Sequence, residues 1–277
     1  MTGQRLSQRT GKAAPDGPFE GVPEHLIHGL RYWFEGLSGY RSGHGMDERR
    51  LRELAVFLRS RVEPNWSAQG LMNGLLSDAE RSDDDFLDLV DGALQIWNNK
   101  VYAQMLSKVL AAGGSVWTAA EDGLSLVRVV GDEAQTTYDV AVSKADEIST
   151  ELREAWSNAF GRSGDPSDAW DHAIKALEDM LIPAVVPNQS KPNLGHVVGQ
   201  LRNQPNQWRL VLPGKDQDHD VAPLVGMLDL IWPNHDRHGG PTPKRRPSNQ
   251  EARAVVTLTA TIVQWYRDGW IVQRRQI

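Results

Sequence analysis

The chain contains no cysteine. Disulfide bonds, thiolate metal sites and cysteine nucleophiles are therefore all excluded. It also contains no apolar run long enough to span a bilayer, and the stretch from Met1 to Phe19 lacks the apolar core of a secretory signal peptide. The Gly-x-Ser-x-Gly elbow and the Walker sequence are absent as well. We expect a cytoplasmic protein with no membrane partner.

Positive charge is in short supply, because the formal net charge of the 277 residues is −6. This balance argues against a protein that coats nucleic acid generally, although it leaves room for a local basic patch. Apolar residues are plentiful: the chain is 40% hydrophobic and has ten tryptophans. That composition is sufficient for the core of one large domain or two ordinary domains.

Apolar residues recur at helical spacing through most of the chain, which predicts a mainly α fold. Residues 1–20 are rich in Gly, Ser, Gln, Arg and Pro and are expected to form a disordered tail. The period changes at residues 115–130, where two short runs flank Glu121-Asp122-Gly123, and a single β-hairpin is predicted there. Trp117 should lie against helices, because a lone hairpin is marginally stable. The hairpin lies between two helical domains, residues 21–131 and 132–277.

The C-terminal domain is expected to pack several helices around one core. Asp165-Pro166 predicts a helix start, Pro183 the end of the same helix, and Ser248 with Glu251 a capping box. Asp220 is a candidate N-cap, and Pro233 should end the helix that follows it. The predicted helices cover residues 132–160, 167–182, 221–232 and 249–268, and the last three should pack together with the 233–247 loop at one end.

This loop holds the densest cluster of groups that transfer protons or bind phosphate, the run Asn234-His235-Asp236-Arg237-His238. Cleavage of RNA through its 2′-OH needs an acid, a base and a cation for the phosphorane. Histidine can take either proton role near neutral pH, and arginine binds phosphate oxygens with two hydrogen bonds. The candidate catalytic residues are His238, Arg237, Asn234 and His235, and the candidate contacts to a nucleic-acid backbone are Lys244, Arg245 and Arg246.

The same residues admit other interpretations. His235 and Arg237 can cap the carbonyls of the preceding helix, while His238 hydrogen-bonds within the loop. Metal binding by His235, Asp236 and His238, or by Asp218-His219-Asp220, is a further alternative. Lys175 and Glu178 are expected to form an exposed ion pair on one helix face. No cofactor is expected.

Residues 145–268 resemble the HEPN-type helical domains of abortive-infection and toxin proteins. The likeness is carried by the helix bearing residues 173–178 and by two helices that flank residues 234–239. The family motif is an arginine, usually a polar residue, a short spacer and then histidine. His238 matches the histidine and Asn234 the polar position, while Pro233 stands at the arginine position. The resemblance implies RNA cleavage without metal, by two motifs that face each other across a homodimer.

Two functional hypotheses follow. The first is a bacterial or phage-related defence protein that acts as a metal-independent ribonuclease, or a catalytically degenerate relative of one. The second is a non-enzymatic binding or assembly module that dimerises through its C-terminal helices, while the N-terminal domain contacts a protein partner. A homodimer is also suggested by an apolar surplus on the last helix, comprising Val256, Ile262, Val263, Trp265 and Tyr266.

Overall fold

The computed structural model describes residues 6–10, 17–41, 45–233, 245–269 and 272–275. The chain divides into two compact units, Met1–Val129 and Val130–Ile277. The described residues are mainly helical, with two short antiparallel strand pairs, so the predicted mainly α fold is confirmed. In these residues no helix combines the length and apolar character needed to cross a membrane.

Two helices of unit 1 begin at side chains that cap a backbone N–H. Asp47 accepts a hydrogen bond from the Arg50 N–H (3.1 Å), and Ser82 accepts one from the Asp85 N–H (3.1 Å). The helices bury one apolar core that includes Phe34. The elements are α1 (Leu6–Arg9), α2 (Glu24–Leu37), α3 (Glu48–Phe57), α4 (Ala68–Ala79), α5 (Asp83–Trp97), α6 (Lys100–Ala112), β1 (Trp117–Ala119) and β2 (Leu126–Arg128).

The segment predicted to be a disordered tail contains ordered parts. Helix α1 lies within it, and the Phe19 N–H donates to the Gly114 carbonyl (2.8 Å). The Val116 N–H in turn donates to the Phe19 carbonyl (3.0 Å). Phe19 is therefore held beside the start of the hairpin, and the composition of residues 1–20 did not reveal this pairing.

The predicted hairpin is confirmed, although its strands are shorter than expected. Ala119 pairs with Leu126, and the Ala120 N–H donates to the Ser125 carbonyl to close the turn. Gly123 adopts a φ of +78°, a value that suits glycine at this position. Trp117 is 6% exposed and β1 packs on α6, as the marginal stability of an isolated hairpin requires.

Unit 2 packs its helices around a single apolar core. Helix α9 contacts α8, α10 and α12, and α12 also contacts α7, α8 and α11. The predicted packing of helices 167–182, 221–232 and 249–268 is confirmed, and the Trp170 indole N–H donates to the Ile231 carbonyl (2.6 Å). The elements are α7 (Asp132–Ala141), α8 (Glu147–Phe160), α9 (Pro166–Val185), α10 (Leu194–Asn203), β3 (Trp208–Arg209), α11 (Ala222–Ile231), α12 (Asn249–Arg267) and β4 (Gln273–Arg274).

The prediction of one helix over residues 132–160 is wrong, because the helical conformation is interrupted between the end of α7 and the start of α8. Asp146 caps α8 by accepting from the Ser149 N–H (3.0 Å). The Arg267 guanidinium of α12 grips the same carboxylate at 2.6 and 2.7 Å and donates to the Ala141 carbonyl (3.2 Å). The Arg267 hydrogen bonds are the main reason why the pKa of Asp146 falls to about 2. A residue from the last helix thus fixes the break.

Two further expectations are corrected. Pro183 does not end its helix, since α9 continues to Val185 and the Val186 N–H donates to the Ile182 carbonyl (3.0 Å). A proline near a helix end removes one donor, and here the chain remains helical past it. The predicted hairpin is also not the only strand pair in the described residues, because β3 and β4 pair antiparallel with Trp208 opposite Arg274.

The apolar surplus expected on the last helix is absent. Val256, Ile262 and Val263 are fully buried within unit 2, and Trp265 packs partly against the same core. Tyr266 is 37% exposed. Helix α12 lies against several helices of its unit, so more than one of its faces is covered. The homodimer remains a prediction without this support.

Candidate functional site

The candidate catalytic residues Asn234, His235, Arg237 and His238 lie outside the described residues, as do Asp236 and Lys244. The described structure does reach both flanks of this segment. It also contains Arg245 and Arg246, the remaining candidate contacts to a nucleic-acid backbone.

The flank before the segment is fixed to α9 and α10. The buried Trp170 of α9 donates its indole N–H to the carbonyl of Ile231, the last residue of α11. The ring of Trp232 lies directly over Gly195 in the first turn of α10, where an added Cβ would come within 3.0 Å of it. These two contacts fix the chain close to where the described part stops at Pro233.

The flank after the segment returns to α9. Arg246 forms an ion pair with Asp165, the N-cap residue of that helix. Asp165 also accepts from the Ser167 N–H (2.7 Å). The pKa of Asp165 is lowered first by this backbone hydrogen bond and further by the charge of Arg246. Because Trp170 and Asp165 are close in sequence at the start of α9, both flanks of residues 234–244 are held at the N-terminal end of one helix.

Arg245 is engaged with the capping box of α12. Its guanidinium donates to both oxygens of Glu251, at 2.8 and 2.5 Å. Glu251 also accepts from the Ser248 N–H (2.9 Å). These contacts, that of Arg245 foremost, lower the pKa of Glu251 to about 2. Both ion pairs lie on the surface, where such pairs are weak enough for a phosphate to replace the carboxylate.

The prediction of an ion pair between Lys175 and Glu178 is wrong, because the two side chains have other partners. Glu178 accepts from the Leu194 N–H (2.8 Å) and so helps to cap α10 together with Asn193. Lys175 lies 3.9 Å from Glu151 on α8. Glu178 points at a helix start beyond its own helix, a position that helical spacing cannot reveal.

A histidine–carboxylate pair that the sequence did not suggest links α8 to α9. The Nδ1 atom of His172 lies 2.6 Å from a carboxylate oxygen of Glu151, and both side chains are partly buried. Burial, followed by the charge of Glu151, raises the pKa of the neighbouring Asp179.

The run from Asp218 to Asp220 forms a turn. The His219 Nδ1 atom lies 2.9 Å from the Leu210 carbonyl. Asp218 accepts from the Asp220 N–H (3.2 Å), and Asp220 accepts from the Ala222 N–H at the start of α11 (3.0 Å). Across the described ranges, no group of three or more His, Cys, Asp or Glu residues is arranged to hold a metal ion. The other proposed metal ligands, His235, Asp236 and His238, lie outside the described residues.

Comparison of the chain with known proteins found no matching family model, no matching curated protein and no matching solved structure. The HEPN resemblance therefore depends on residues 173–178 and 234–239 of this sequence.

Proposed function

We propose that the chain is a defence protein of the abortive-infection type. Its second unit acts on RNA without a metal ion, as a ribonuclease or as a catalytically degenerate relative. The HEPN resemblance supports this proposal. The structural observation that carries it is the attachment of both flanks of residues 234–244 to the N-terminal end of α9, through Trp170 and Asp165.

The chemistry assigns a role to each candidate residue. His238 exchanges the proton of the 2′-OH or of the leaving 5′-oxygen. Arg237 stabilises the negative charge of the phosphorane, and Asn234 and His235 orient the phosphate. Fixed flanks favour this chemistry, because catalysis depends on holding the reacting groups in one geometry.

Pro233 raises the question of whether the chain is an active or a degenerate enzyme. The family motif has arginine there, and proline carries no charge. In the active form, Arg237 supplies the missing cation. In the degenerate form, the unit binds RNA and does not cleave it.

The direct test incubates the purified chain with total RNA in EDTA. Cleavage by the wild type that is lost in His238→Ala and in Arg237→Ala supports the active form. His28→Ala is the matched control, because His28 is an exposed histidine of unit 1. If the wild type does not cleave RNA and Pro233→Arg does, the site is a decayed nuclease. If neither the wild type nor Pro233→Arg cleaves RNA, and neither binds RNA, the proposal is contradicted.

A second candidate function is a non-enzymatic binding or assembly module. It is favoured by the ion pairs of Arg245 with Glu251 and of Arg246 with Asp165, since both cations already have carboxylate partners. In this case unit 2 dimerises and unit 1 contacts a protein partner. Light scattering at tens of micromolar concentration tests the dimer, and a strictly monomeric chain contradicts dimerisation and weakens the idea of a composite site.

A further inference from the structure

Three arginines line a cavity of about 530 Å³ beside the β3–β4 strand pair. Arg209 comes from β3, Arg274 from β4, and Arg275 follows β4 directly. The other wall belongs to the loop that leads to α11 and includes Asp218 and His219. The cavity has the volume of a small-molecule site. It lies within unit 2 and is made of residues other than those assigned to RNA cleavage.

Arg275 holds the two walls together. Its Nε atom donates to the Trp208 carbonyl (2.7 Å), and its Nη2 atom donates to the Asp218 carbonyl. The loop wall is closed on itself, because the His219 N–H donates to the Pro213 carbonyl (3.1 Å) and the Leu210 N–H donates to the His219 carbonyl (2.9 Å). The cavity is therefore organised before any ligand arrives, which lowers the entropic cost of binding.

Arg209 and Arg274 differ from Arg275 because, within the described residues, neither donates a side-chain hydrogen bond to the protein. Both are exposed, and within the described residues neither forms an ion pair with a carboxylate. Arg274 stacks near the Trp208 ring, with its guanidinium carbon 5.9 Å from the ring centroid, which restricts its position. The lining contains three guanidinium groups and one carboxylate, that of Asp218, in a chain whose net charge is −6. The local charge is thus opposite to that of the whole protein.

We propose that this cavity binds the phosphate groups of a nucleotide or of an RNA strand, with Arg209 and Arg274 as the principal contacts. Guanidinium groups match phosphate oxygens in charge and in planar, two-point geometry. Arg275 positions the site through its hydrogen bonds to the Trp208 and Asp218 carbonyls. The proposal does not depend on RNA cleavage.

The test measures binding to the full chain by calorimetry at low salt, with inorganic triphosphate, ATP and a short RNA as probes. All measurements use the His238→Ala background, so that cleavage does not interfere and failure of the proposed nuclease leaves the result readable. Arg209→Gln and Arg274→Gln should each weaken binding about tenfold or more. Arg61→Gln is the matched control, because Arg61 is an exposed arginine of unit 1 with no ion pair in the described structure. Arg275 is left unchanged, since its substitution would free the loop.

Binding of triphosphate that depends on Arg209 and Arg274 identifies phosphate as the recognised group. A tighter ATP complex then assigns the cavity to a free nucleotide, and a tighter RNA complex assigns it to a polynucleotide. The proposal is overturned if no probe binds at millimolar concentration, or if Arg61→Gln weakens binding as much as the cavity variants do. Thermal melting of each variant confirms that it is folded, and Arg274→Lys retains the charge if Arg274→Gln is unstable.

Discussion

The two strand pairs of this protein use their polar side chains in different ways. In β1–β2 of unit 1, Arg128 pairs with Glu20, which raises the arginine pKa. The buried Asp91 accepts from the Leu126 N–H (2.6 Å). In β3–β4 of unit 2, Arg209 and Arg274 form no ion pair with any described carboxylate. One strand pair thus uses its polar groups for folding, and the other leaves charges available for a ligand.

The two tryptophans of these strand pairs repeat the contrast. Trp117 of β1 donates its indole N–H to the Glu20 carbonyl (2.9 Å). Trp208 of β3 is only 4% exposed, yet its indole N–H has no hydrogen-bond partner in the described structure. Unpaired buried donors are uncommon and destabilising. The indole N–H of Trp117 therefore has an acceptor, whereas no described residue accepts a hydrogen bond from that of Trp208.

The largest predicted effect tests whether the chemistry belongs to unit 2. His238→Ala should lower RNA cleavage by about two to four orders of magnitude, because an acid or base in the transition state is lost. His28→Ala in unit 1 should leave the rate unchanged. The measurement is the initial rate of RNA cleavage in EDTA. A fall in Tm with an unchanged rate would instead assign His238 a structural role.

The tryptophan contrast can be tested by replacing each indole with a smaller ring. Trp117→Phe removes the indole donor to the carbonyl of the exposed residue Glu20, whereas Trp208→Phe removes a donor that has no partner in the described structure. After the similar loss of ring volume, Trp117→Phe should reduce the free energy of unfolding by about 0.5–1.5 kcal/mol more than Trp208→Phe, because only Trp117→Phe breaks a hydrogen bond. Urea denaturation measures both, with the transition of each unit fitted separately. Equal losses would mean that the indole hydrogen bond does not distinguish the strand pairs.

A third substitution tests how firmly the hairpin is tied to α5. Asp91→Ala removes the acceptor of the buried Leu126 N–H and of the Gln95 side chain. The free energy of unfolding of unit 1 should fall by about 1–3 kcal/mol, because a buried donor is left unpaired. Hydrogen exchange at the Leu126 amide should accelerate. Unchanged protection of that amide would show that the strand pairing alone holds the hairpin.

The smallest predicted effect concerns pH and the break between α7 and α8. The folded-state pKa of Asp146 is about 2, below its ordinary value of 3.8, because Arg267 binds the ionised form. The resulting stability is fully present above pH 3.8 and is lost as the pH falls through about 2. The carboxylate is 35% exposed, so solvent screening reduces the contribution to about 1 kcal/mol. Asp146→Asn should show this loss at pH 7 and approach the wild type near pH 2. A constant difference between the two chains from pH 7 to pH 2 would contradict the assignment.

Helix starts could be predicted from the sequence because caps are local. Asp47, Ser82 and Ser248 each bind a backbone N–H within three residues of their own position. The hairpin turn is equally local, since Gly123 follows directly from the two residues that turn with it. Such features depend on neighbours in sequence, and residue type is enough to find them.

Features that depend on remote residues could not be predicted. The α7–α8 break needs Arg267, and the cap of α10 needs Glu178 from another helix. The contact between His172 and Glu151 forms only once separate helices have packed, and so does the arginine cavity. For the candidate site, the structure adds where its flanks are attached, and the roles of Asn234, His235, Arg237 and His238 stay predictions.

The most direct test of the account is the chemistry of the RNA ends produced in EDTA. Attack by the 2′-OH, without a metal ion, leaves a 2′,3′-cyclic phosphate on one product and a 5′-hydroxyl on the other. We predict these ends for the wild-type chain, and their loss in His238→Ala. Products with 5′-phosphate and 3′-hydroxyl ends, or cleavage that EDTA abolishes, would contradict the account.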